Sequence, residues 1–204
     1  MLRLTLPDRP GSLGQVATAM GHIGADIVAV LVVEKRDGAA IDDFMLELSP
    51  DTPPDTLVTA CVGVDDVEVL WLSNYPEPWG LQSDVDVLDD MTADPPNAAR
   101  ILTMAAPEVF HASWAVLVER EDSRVLARTD LAPDFDEEAV LSLGPLSLPG
   151  SWELPDEWLA GWPSSLVAVA PLRDGTSVVV ARHGGPDFLA SEIARLRHLA
   201  ALAG

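Results

Sequence analysis

The sequence predicts an α+β protein of two domains, and three observations predict it. In the first third of the chain, apolar residues recur alternately every two and every three to four positions, which is the mark of strands alternating with helices. A stretch at 73–82 holds two prolines, a glycine and polar residues, the composition of a linker. After it, two hairpin patterns are framed by helical ones. The domains that follow from this are residues 1–72 and 83–204, joined by 73–82. A chain of 204 residues has room for one or two domains of about 100–150.

Leu2, Leu4 and Leu6 alternate with Arg3 and Thr5, so the chain opens on a strand with one buried face. Asp8-Arg9-Pro10-Gly11-Ser12 breaks it, and Pro10-Gly11 suits the central positions of a type II turn. Leu13, Val16, Ala17 and Met20 then have helical spacing, to about Ile23, with Gly24 as the stop. Residues 26–34 are a β-branched run that reads as a central strand. Arg36-Asp37-Gly38 signals a hairpin into a strand at 41–48, where Phe44, Leu46 and Leu48 share a face. A second helix is expected at 55–62, with Leu57, Ala60 and Cys61 as its apolar stripe, and a last strand at 67–72. The order β-α-β-β-α-β is the ferredoxin-like split arrangement, with two helices on one face of a four-stranded sheet. Its other face must find a partner.

In the second half, helices are expected around Val87–Met91 and at 98–109, with hairpins at 113–128 and 166–182. Residues 130–164 read as irregular, with Trp152, Trp158 and Trp162 as core, lid or pocket lining. Leu189, Ile193, Leu196 and Ala200 give a closing helix.

The charge narrows the function. There are 33 acidic against 12 basic residues, a net charge of −21. Nucleic acid and anionic membranes are repelled, because both need clustered cations. Hydrophobic content of 48% and a mean hydropathy of +0.19 predict a folded core. The single cysteine, Cys61, forbids an intrachain disulfide. No signal segment opens the chain and no apolar run approaches the ~20 residues of a membrane helix, so a cytoplasmic location is expected.

Catalytic patterns are missing. There is no Gly-Lys-Ser/Thr phosphate loop, no Gly-x-Gly-x-x-Gly, no His-Glu-x-x-His and no Cys-x-x-Cys. His22, His111, His183 and His198 are scattered. Carboxylate pairs such as Asp42-Asp43 and Asp89-Asp90 read as a solvated face, since neighbours on a strand point to opposite sides. Neither an enzyme nor a metal or cofactor site is expected.

Leu4-Thr5-Leu6-Pro7-Asp8-Arg9-Pro10-Gly11-Ser12-Leu13, followed by Gly24-Ala25-Asp26-Ile27, resembles the ACT domain family, over about a third of the chain. The resemblance implies a small effector, often an amino acid, bound between two ACT domains packed side by side. It implies binding residues at Asp8, Arg9, Pro10, Gly11, Ser12, Leu13, Asp26 and Ile27. Helix-terminal amides around Gly11–Leu13 suit a carboxylate. Amino-acid-binding members often carry Asn where this chain has Asp8 and Asp26. Two carboxylates suit an ammonium and favour a neutral or basic amino acid; alternatively Asp8 serves only the turn and Asp26 only opens a strand.

The second domain resembles a GAF domain, through its leading helix, its two hairpins and the ending Val178-Val179-Val180-Ala181-Arg182-His183 … Phe188 … Ile193 … Leu196. The cyclic-nucleotide signature of that family is excluded because Lys35 is the only lysine. The expected protein is therefore a non-catalytic ACT–GAF homodimer that binds an amino acid and signals to a protein partner. The alternative is a ligand-free scaffold in which both domains serve assembly.

Overall fold

The computed structural model describes residues 1–73, 81–159, 161–162 and 164–204. The chain divides into two compact units, Met1–Pro76 and Glu77–Gly204. Residues 74–80, the middle of the expected linker, lie outside the described residues. No helix among the described residues is long and apolar enough to cross a membrane.

The first unit runs β1 (Leu2–Pro7), α1 (Ser12–His22), β2 (Asp26–Arg36), β3 (Ala39–Glu47), α2 (Pro54–Val62) and β4 (Glu68–Leu72). The sheet order is β2-β3-β1-β4, and every pair is antiparallel. Leu2, Leu4 and Leu6 face the helices and pack with Val16 and Met20 of α1, Leu57 and Cys61 of α2, and Phe44 of β3. α1 ends where the Gly24 amide bonds Gly21 O and the Ala25 amide bonds Met20 O, the paired bonds of a Schellman close. Asp37 and Gly38 both have positive φ, so β2 and β3 meet in a two-residue turn of the kind that matches strand twist.

One expectation fails here. The β-branched run 26–34 is not central: β2 is an edge strand, and Val28, Val30, Leu31 and Val32 are exposed. Apolar density alone cannot separate a strand covered by its own fold from one awaiting cover. β1 and β3 hold the centre because both are paired on two sides.

The second unit runs α3 (Leu81–Ala93), α4 (Ala98–Val109), β5 (Trp114–Glu119), β6 (Arg124–Arg128), α5 (Glu137–Ser142), β7 (Gly150–Glu153), β8 (Ser165–Pro171), β9 (Thr176–His183) and α6 (Ala190–Ala203). Its five strands are antiparallel in the order β6-β5-β9-β8-β7. Both faces are covered. Ala115, Leu117, Val178 and Val180 meet α3, α4 and α6 on one side, while Trp114, Val116, Val118 and Val179 meet the segment 132–162 on the other. This explains strands that are apolar at nearly every position. The stretch 130–164, expected to be irregular, contains α5 and β7. Asp136 caps α5 by accepting from the Ala139 amide at 2.8 Å, a start signal hidden among prolines.

Candidate functional site

Pro10 and Gly11 do form the type II turn. Gly11 has φ 96° and ψ −18°, and the Ser12 amide bonds Arg9 O at 3.3 Å. A side chain at Gly11 would have to adopt the left-handed region, which only glycine enters freely. The turn feeds α1, whose first intrahelical bond is Gln15 N to Gly11 O at 3.0 Å. The first amides of a helix have no partner within it, and Gly11 offers no side-chain cap. Leu13 and Gly14 therefore present their N–H groups outward, at the positive end of the helix dipole. Asp8, Arg9, Pro10, Gly11 and Leu13 are exposed, while Ser12 turns inward and is buried.

Two residues beside the turn were missed by sequence reasoning. Lys35 reaches across from β2 and donates to Asp8 Oδ1 at 2.6 Å. The hydrogen bond to Asp8, and then its charge, hold the Lys35 ammonium above the usual lysine range. The second residue, Asp42, lies on β3 opposite Leu4 and Val32, on the helix-facing side of the sheet. It is 2% exposed, and its Oδ1 has no hydrogen-bond partner. Burial raises its pKa, and the Lys35 charge partly opposes that shift. Ser12 Oγ, on the inward stripe of α1, is likewise buried and unpartnered.

The reading of Asp42-Asp43 as a solvated face is thus overturned. Asp43, 1% exposed, takes a two-pronged bond from Arg3 directly across the strand pair, at 2.7 and 2.8 Å. The signal was in the parity of the strand. With Phe44 and Leu46 inward, Asp42 had to be inward too. Asp89, Asp90, Glu137 and Glu138 are exposed, as a solvated face requires.

Asp26 and Ile27 fall elsewhere. Asp26 opens β2 opposite Glu47, whereas Asp8 sits at the far end, its amide bonded to Gly38 O. Nine strand steps at about 3.3 Å put roughly 30 Å between the Asp26 and Lys35 backbones. One unit alone cannot bring Asp8 and Asp26 to the same small ligand. Ile27 is half-buried against the apolar cluster of its own unit.

The second unit shows an aromatic cluster beneath its sheet. The Trp114 ring lies 5.5 Å from Phe135, 6.1 Å from Trp158 and 6.3 Å from Trp162, between centroids. Trp158 donates to Trp162 O at 2.8 Å, and Trp152 to Leu143 O at 2.9 Å. These tryptophans are core and lid. A shallow groove of about 520 Å³ runs between α4 and β6, past Arg100, Met104, Leu126 and Phe135. The Cys61 thiol is buried, its pKa pushed up to about 11 by loss of solvent, which disfavours the thiolate that nucleophilic chemistry needs. Among the described residues no group of three or more His, Cys, Asp or Glu side chains could hold a metal.

No family model and no curated protein matches the chain. A solved structure to which it is similar is the GAF domain of a protein described as a sensor histidine kinase from Pseudomonas syringae pv. tomato. The TM-score is 0.41 at 20% identity, covering 60% of this chain and 81% of that one. A likeness that loose carries no argument about what this chain does.

Proposed function

We propose that the chain is a non-catalytic regulatory protein, whose first unit is an ACT domain and whose second is a GAF-like module. The first unit binds an α-amino acid where two copies meet, and the change of contacts is read by a partner protein. The observation that carries this reading is the exposed turn at Pro10-Gly11, which leaves the Leu13 and Gly14 amides open for a carboxylate. Lys35 and Asp8 supply both signs of charge beside it. The outer edge of β2, which pairs with no strand among the described residues, has Val28, Val30, Leu31 and Val32 exposed and supports a second copy as the other wall. Such a copy, packed edge to edge, could bring its Asp26 end towards the first copy's turn, which one unit cannot do by itself.

A ligand shifts such an assembly only through its different affinity for the two states. The test is a thermal-shift screen of the full chain against the free amino acids. A ligand at 100 times its dissociation constant adds about 2.7 kcal/mol, a rise of several degrees at this size. A melting curve unmoved by every amino acid sinks the reading and leaves assembly alone as the role of the two units.

A further inference from the structure

Asp42 is the polar group of the first unit that its own fold leaves least provided for. Carboxylate oxygens buried in proteins normally accept hydrogen bonds, and one left without a donor costs stability. Asp42 is 2% exposed and its Oδ1 accepts nothing. Ser12, 4% exposed, repeats the pattern from the helix above. Register and helical stripe place both in one layer. Asp42 lies on the sheet face that carries Leu4, and Ser12 shares the inward face of α1 with Val16 and Met20. Two orphaned polar atoms, one on α1 and one on the sheet face that packs in the same cluster as α1, suit a guest with several donors.

The open amides of Leu13 and Gly14 would accept the carboxylate of any small acid. Choosing among acids needs a group that only accepts, since an ionised carboxylate has no proton to give. A primary ammonium brings three donors. The chain's own ammonium, on Lys35, already rests 2.6 Å from Asp8, on the same side of the sheet as Ala40, its cross-strand partner.

We propose that Asp42 and Ser12 form the ammonium-recognising end of the effector site, so that it selects α-amino acids from carboxylic acids lacking an amine, and that Lys35, held by Asp8, competes with the effector's ammonium until it is displaced. This rests on the effector-binding role assigned to the turn above. The Lys35 side chain is exposed enough to swing away.

The experiment is calorimetric titration of the full chain with each free amino acid and, for every one that binds, with the acid of the same carbon skeleton that has hydrogen in place of the amine. Wild type is compared with Asp42→Asn, Ser12→Ala and Lys35→Met, each checked for native circular dichroism. A charge-assisted hydrogen bond lost should weaken amino-acid binding about 10–100-fold in Asp42→Asn and less in Ser12→Ala. The amine-free acid should bind wild type about that much more weakly and be indifferent to Asp42→Asn. Lys35→Met should tighten amino-acid binding. Amino-acid affinity unchanged in folded Asp42→Asn, or an amine-free acid binding wild type as tightly as its amino acid, overturns this inference and leaves the effector site standing. No amino acid binding wild type removes both. Should Asp42→Asn not fold, Ser12→Ala takes its place: a preference for the amine that Ser12→Ala weakens supports the inference, and one that it leaves intact overturns it.

Discussion

Two fully buried charges, one in each unit, are provided for in opposite ways. In the second, Arg182 on β9 is 2% exposed and saturated. It donates to Glu192 on α6 at 2.7 Å and to Phe110 O at 2.7 Å, with longer bonds to His111, Pro186 and Asp187 carbonyls, and it lies 4.1 Å over the Phe188 ring. Glu192 in turn accepts from the Leu189 amide at 2.8 Å. In the first unit, equally buried Asp42 keeps an oxygen without a donor. A sheet packed on both faces uses its buried ions to fasten elements together. The first unit does the same with Arg3 and Asp43, so Asp42 stands apart within its own sheet. Departures from local consistency collect where proteins act, which makes Asp42 a position to test; in the second unit Asp84 Oδ1, Trp114 Nε1 and Arg195 Nε are also buried without a hydrogen-bond partner.

Several substitutions would break or sharpen that contrast. The largest effect belongs to Arg182→Ala, which strands the Glu192 carboxylate. It should cost about 3–5 kcal/mol by chemical denaturation, and a loss below 1 would mean the clamp is ornamental. Gly144→Ala comes next. Gly144 has φ +92°, and a Cβ there would lie 2.6–2.8 Å from the Trp152 indole. Overpacking of this kind costs about 1–3 kcal/mol. On β2, Val30→Lys places a charge on the bare edge. Sedimentation should show the proposed dimer weakened at least ~10-fold, about 1.4 kcal/mol, and a dimer unchanged by the substitution would mean that copies meet elsewhere.

Asp42→Asn sharpens the contrast by pH. Burial raises the Asp42 pKa, with Lys35 opposing and Asp43 and Asp8 reinforcing the shift. The native state then binds this proton more readily than the unfolded chain, so wild-type stability from this group grows as pH falls through the raised value and levels off below the ordinary carboxylate range. The ligand-free variant should therefore melt higher than wild type at neutral pH, with the gap closing in acid. A gap of the opposite sign would show that Asp42 is well provided for. The smallest effect concerns Cys61: a thiol reagent at pH 8 should leave it unmodified until the protein unfolds, because the thiol is buried and loss of solvent pushes its pKa up to about 11.

Much of this architecture was legible in the residues. The Pro10-Gly11 turn, the Gly24 stop, the Asp37-Gly38 hairpin and the helix at 98–109 follow from local chemistry that tertiary contacts did not override. What escaped depended on neighbours distant in sequence. Edge or centre is decided by which strands flank a run, and 26–34 carries no mark of that. Lys35 meets Asp8 across 27 residues, beyond any local pattern. Asp42 is different: the alternation that put Phe44 inside also put Asp42 inside, but the doubled carboxylate suggested solvent.

Four of the six tryptophans, 114, 152, 158 and 162, belong to the cluster under the sheet of the second unit. Most of the molecule's optical label thus belongs to its second unit. Intrinsic emission will report chiefly on loosening of that lid, with Trp71 on β4 as the reporter in the first unit. A signal relayed from the first unit to the second would then be visible as a colour change in tryptophans of the second unit.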